Sequence, residues 1–228
     1  PRPGPRLRVS VTMSLLRTAV HGGLWTAAIR YGFFFVNFLA NLWLARLLTP
    51  EHFGTFALAL SAVELLFILA SFGIALACIN LHDEPGVFDT AMTLSAGLAV
   101  VIFGLSLGAA AIAGQVWGAQ IAGFVLVLSA MKCLFLLATV PLAYLEVQHR
   151  FKTAAFITGV GRPLGILVAV ALAHAGLGAT SLLVREGLAI GLTAALAVGL
   201  SPYRMRLGWD PDLARRIWAF SYGVFFMR

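Results

Sequence analysis

Apolar residues run through this chain in long stretches, and most polar residues collect in the short gaps between them. Six stretches are long enough to cross a bilayer: 24–46, 54–80, 90–113, 119–145, 153–174 and 179–200. A helix rises about 1.5 Å per residue, so roughly 20 apolar residues cover a hydrocarbon layer about 30 Å thick. A seventh stretch starts near residue 214 and meets the end of the sequence at Arg228. Lipid leaves backbone groups no partner but one another, which restricts spanning structure to helices and closed barrels. Continuous Leu-, Ala- and Gly-rich runs lack the alternation of a barrel strand. The pattern predicts an all-α polytopic membrane protein with six transmembrane helices and the start of a seventh.

Composition agrees: 61% of the residues are hydrophobic and 11% are charged, against about 25% charged in a soluble domain. The pI near 10.3 invites a nucleic-acid reading. The basic residues form no patch or basic helix, however, so nucleic acid is excluded as a partner. Cys78 and Cys133 both fall inside apolar stretches and read as small buried residues, giving neither a disulfide framework nor a metal site. Residues 1–12, PRPGPRLRVSVT, read as a disordered N-terminal tail ahead of the more natural opening at Met13. The first apolar stretch is too long for a cleaved signal peptide, and no small-x-small site follows it.

The connections set the orientation. The N-terminal segment, the connections at 81–89, 146–152 and 201–213, and Arg215 and Arg216 just after the last of these carry ten Lys and Arg residues, while the alternate connections carry Arg46 alone. Lys and Arg mark the cytoplasmic side, so the N-terminus is expected in the cytoplasm. The outer connections are too short to hold a catalytic domain. Residues 201–213 form the longest connection and are expected to link one set of six helices (13–200) to whatever follows, with 214–228 as the truncated start of helix seven.

Against this apolar background the embedded charges stand out, because a charge at bilayer depth costs at least about 3 kcal/mol and usually faces a cavity or a partner. At 100° per residue, Arg30, Asn37 and Asn41 form one stripe about 16 Å long on the first span. It either lines a cavity or divides into interhelical bonds from the asparagines and a snorkelling arginine. Glu64 and Lys132 each sit near the middle of a span, where a mutual ion pair lowers the cost of both; a coupling role for Glu64 is the alternative. Arg162 lies in Gly-Val-Gly-Arg-Pro-Leu-Gly, which predicts a kinked or loosened helix with a charge at mid-depth. Arg185 and Glu186 are neighbours that point about 100° apart, which makes Arg185 the weaker cavity candidate. The histidines lack metal spacing, the Gly-x-Gly pieces read as packing surfaces, and neither a catalytic constellation nor a cofactor site emerges.

The stretch LWLARLLTPEHFGTFALAL, Leu42 to Leu60, resembles the signature of the Wzx-like polysaccharide flippases of the multidrug/oligosaccharidyl-lipid/polysaccharide (MOP) exporter superfamily. Three further segments are similar to that family in order: GGLWTAAIRYG from Gly22, YLEVQHRFKTAAFI from Tyr144 and AGLGATSLLVREGLAIG from Ala175. The resemblance implies two lobes of six or seven helices around a cationic cavity that handles an undecaprenyl-pyrophosphate-linked oligosaccharide. This chain then supplies one lobe of a MOP-type transporter, and a missing C-terminal lobe would be its partner. Arg30, Asn37, Asn41, Lys132 and Arg162 are the positions that fit such a cavity, with Glu64 as coupling group or ion-pair partner. The implied function is flipping of lipid-linked oligosaccharide across the bacterial inner membrane for exopolysaccharide or lipopolysaccharide O-antigen export. Two alternatives stay open: a multidrug antiporter of the same superfamily, which would use Glu64, and a membrane polysaccharide polymerase or ligase, which would need a sizeable outer loop.

Overall fold

Small residues recur at helical spacing inside the apolar stretches, and in lipid such seams, more than bulk hydrophobicity, bring helices together. The computed structural model describes residues 31–32, 34–68 and 73–226. Among these the chain forms eight helices: α1 (Phe34–Leu47), α2 (Pro50–Ile68), α3 (Ile74–Asn80), α4 (Val87–Trp117), α5 (Ala119–Val147), α6 (Phe151–His174), α7 (Ala179–Leu200) and α8 (Pro211–Phe226). Five of them (α2, α4, α5, α6 and α7) are long and apolar enough to cross a membrane, and α1 is a shorter apolar helix. The protein is a polytopic membrane protein.

Short turns fold α4–α5 and α6–α7 into antiparallel hairpins, and α5 packs against α2, α3, α4, α6 and α7. The reason is visible along α4, where Ala91, Ser95, Ala99, Ile102, Ser106, Ala110 and Ala113 are buried at three- and four-residue spacing. Their small side chains let the α5 backbone approach. The large residues of α4, including Val100, Val101, Leu105 and Ile112, are left exposed on the outside of the bundle, where lipid is their solvent. Thr49-Pro50-Glu51 separates α1 from α2 as its chemistry demands: Pro50 needs no N–H partner in a first turn, and Glu51 complements the helix N-terminus.

The apolar stretch 54–80 does not form one helix. Gly73 has φ +26°, outside the helical basin, and α3 starts afresh after it. The Ser221 backbone of α8 lies 3.5 Å from where a Cβ at Gly73 would stand, an ordinary van der Waals distance, so α8 runs alongside the start of α3. Ile217 of α8 is buried in a cluster with Ile74, Ala77, Cys78 and Val87. Asp210 caps α8 by accepting from the Asp212 and Leu213 N–H groups at 2.9 and 3.2 Å.

Nor does Gly-Val-Gly-Arg-Pro-Leu-Gly interrupt its helix, since α6 runs from Phe151 to His174 with Pro163 inside. The glycines serve contact instead. A Cβ on Gly161 would stand 2.6 Å from the Ala189 carbonyl oxygen, and one on Gly165 would stand 2.5 Å from that of Arg185. Bare glycine faces thus set α6 and α7 at nearly backbone contact.

Candidate functional site

Three polar levels run down the bundle from the end where α1 meets α2, α4 meets α5 and α6 meets α7. At the rim, Trp43 Nε1–H donates to His174 Nε2 at 3.2 Å and joins α1 to α6. Asn41 lies six residues back from Leu47 and Arg185 six residues on from Ala179, so both sit about 9 Å inside. There Arg185 Nη1 donates to Asn41 Oδ1 at 2.8 Å, and Asn41 Nδ2 donates to the Asn37 carbonyl at 2.8 Å. Asn41 therefore ties α7 to its own helix, which is the helix-joining role. Lys132 follows the start of α5 by thirteen residues and Glu64 follows the start of α2 by fourteen, which puts the two at about 20 Å. Lys132 Nζ meets Glu64 Oε1 at 2.6 Å, with the lysine side chain 18% and the glutamate side chain 48% exposed.

Arg162 stands twelve residues before the end of α6, about 18 Å deep, and its side chain is exposed on the bundle. The close α6–α7 packing at Gly165 brings its charge within range of Arg185. Glu186 also acts on Arg185. Among the described residues no carboxylate forms an ion pair with Arg162.

The structure thus joins Glu64 to Lys132, and Asn41 to the Asn37 carbonyl, while among the described residues no hydrogen bond or ion pair links Arg162 to either. Arg30 and the tail at 1–12 lie outside the described residues. Arg185, which the sequence made the weaker candidate, is the residue that meets Asn41. Its adjacency to Glu186 hid this, since the angle between neighbours on one helix says nothing of which helix lies opposite.

The other end of the bundle carries a second polar network. Tyr203 donates its hydroxyl to Asp89 at 2.8 Å, Thr93 Oγ1 donates to the Gly208 carbonyl at 2.7 Å, and Arg216 pairs with Glu84 at 2.8 Å. Phe88, Tyr144 and Tyr203 stack edge to tilted, with ring centroids 4.9–6.0 Å apart. Burial pushes the Tyr203 phenol above its ordinary range, and its hydrogen bond to Asp89 adds to this, so it remains the donor. The connection 201–210 is strapped to the helices it joins.

A family profile described as polysaccharide biosynthesis protein matches residues 43–228. Among curated proteins, the chain is 26% identical over 202 residues to the succinoglycan biosynthesis transport protein ExoT of Rhizobium meliloti (strain 1021). That match covers 88% of this chain and 41% of ExoT, so the chain spans less than half the length of this relative. No solved structure matches the chain.

Proposed function

Because this chain belongs to the polysaccharide biosynthesis protein family, we propose that it is the N-terminal part of a carrier that moves lipid-linked oligosaccharide across the bacterial inner membrane, with its N-terminus in the cytoplasm. The observation that carries this reading is Arg162, exposed on α6 with no carboxylate ion pair among the described residues, on the helix whose Gly165 packs against the Arg185 backbone of α7. A charge without an ion-pair partner at bilayer depth is costly, and an anion beside it removes that cost. A pyrophosphate linker is such an anion, and planar guanidiniums bind phosphate oxygens in pairs.

The naming of ExoT as a transport protein supports a carrier over a polymerase or ligase. The antiporter reading loses its acidic group, since Glu64 is engaged by Lys132. The mechanism is alternating access, in which these helices and a second set beyond this chain rock about the site.

The test is export by the full-length protein. A charge-assisted contact contributes about 1.5–3 kcal/mol, so Arg162→Ala and Arg185→Ala are each expected to cut polysaccharide export by on the order of tenfold at unchanged protein level, with Arg162→Lys in between. Full export by both alanine variants would overturn the assignment.

A further inference from the structure

The connection between α7 and α8 is not slack. Its Gly208 N–H donates to the Asp89 carbonyl at 3.4 Å, and its Gly208 carbonyl accepts from Thr93. A Cβ at Gly208 would stand 2.9 Å from Asp89 Cβ, so this stretch of backbone lies directly on the first two turns of α4. Those turns open the apolar span of α4. The apolar stretch 90–113 is about 36 Å long at helical rise, and Thr93 is about 5 Å inside it. Residues 205–209 therefore pack beside the start of the α4 span.

What this segment presents there is specific. Met205, Leu207 and Trp209 alternate along it and are 41%, 74% and 61% exposed. Arg204 and Arg206 fall between them and are exposed as well. Gly208 faces α4, and the side chains of Met205, Leu207 and Trp209 are left uncovered by the rest of the protein. Arg150, Lys152 and Arg215 are exposed at the same end of the bundle. Three apolar side chains with an indole among them, flanked by guanidiniums, match the two layers of a charged bilayer surface: acyl boundary for the first, phosphate for the second.

We propose that residues 204–209 form a docking site for anionic phospholipid headgroups, with Arg204 and Arg206 on the phosphates and Leu207 and Trp209 inserted beside them. The strap to Asp89 and Thr93 holds the site at fixed depth, so bound lipid bears on the position of α8. The site is separate from the Arg162–Arg185 pair and does not depend on what the protein carries.

The experiment places the full-length protein in nanodiscs and reads Trp209 as the difference in emission between wild type and Trp209→Phe. Brominated phosphatidylglycerol and brominated phosphatidylcholine serve as quenchers, and their ratio gives the relative association of anionic over neutral lipid at that indole. Each arginine near a charged lipid surface contributes about fivefold in association. The ratio should favour phosphatidylglycerol, fall towards parity by on the order of 25-fold in Arg204→Ala/Arg206→Ala, and persist in Arg204→Lys/Arg206→Lys. Equal quenching by both lipids in wild type would overturn the proposal. So would quenching of Trp209 by aqueous iodide instead of bromolipid, which places the segment in water. Insensitivity to all quenchers would also overturn it, since it means protein covers the segment.

Discussion

At the scale of single residues, the Glu64–Lys132 pair shows how burial divides a salt bridge unequally. Lys132 threads its stem through the bundle while Glu64 stays half exposed, so losing one partner is not equivalent to losing the other. Glu64→Gln strands a mostly buried ammonium, whereas Lys132→Gln leaves a carboxylate with other surroundings to use. Exposure of the glutamate limits the coupling to about 1 kcal/mol. Thermal unfolding of the purified protein should rank Glu64→Gln below Lys132→Gln, and the double variant should recover part of the loss of Glu64→Gln. Strictly additive losses would sink the pairing as a stabilising contact. Depth was legible in the sequence here, because Glu64 and Lys132 each fall near the middle of an apolar stretch. Azimuth was not legible: nothing along one helix tells which neighbour faces Arg185, and so its bond to Asn41 could not be read from spacing.

At the scale of elements, glycine decides what the apolar pattern leaves open. An apolar run with glycine in it reads the same whether that glycine breaks a helix or packs one, and only the neighbour settles the matter. Gly73 breaks the run at 54–80 because its φ of +26° excludes the helical basin. Gly161 and Gly165 keep α6 whole and place it on α7. Gly159 lies on the same helix, and a Cβ there would meet nothing within 4 Å, which makes it an internal control. Gly165→Ala must displace the backbone at Arg185 and is expected to cost about 1–3 kcal/mol. Gly159→Ala gains helix propensity, up to about 1 kcal/mol. Opposite shifts of the unfolding midpoint are the expected result. A stabilised Gly165→Ala would mean that α6 and α7 are not in backbone contact, and with that the proximity of Arg162 to Arg185 would go as well.

At the scale of the whole molecule, the two ends of the bundle differ in kind. One end has short turns, the Trp43–His174 contact and a single basic residue near its connections, Arg46. The other holds Arg150, Lys152, Arg204, Arg206, Arg215 and Arg216, together with the strap of 201–210. Most of the apolar spans, though not the single helix expected over 54–80, and this asymmetry were readable because lipid thickness and positive charge act on sequence directly; the strap was not, because it depends on Tyr203 and Gly208 meeting Asp89 and Thr93 across more than a hundred residues. The asymmetry predicts an orientation that labelling can test. Cys78 is buried and Cys133 is half-buried within α5, so neither competes for a membrane-impermeant thiol reagent. Leu177→Cys, at an exposed position in the turn between α6 and α7, should be labelled in intact spheroplasts. Pro202→Cys, exposed at the opposite end, should be labelled only in inverted vesicles. The reverse pattern would turn the molecule over, placing the arginine-rich end outside and removing the cytoplasmic N-terminus from the proposed function while leaving the fold as it stands.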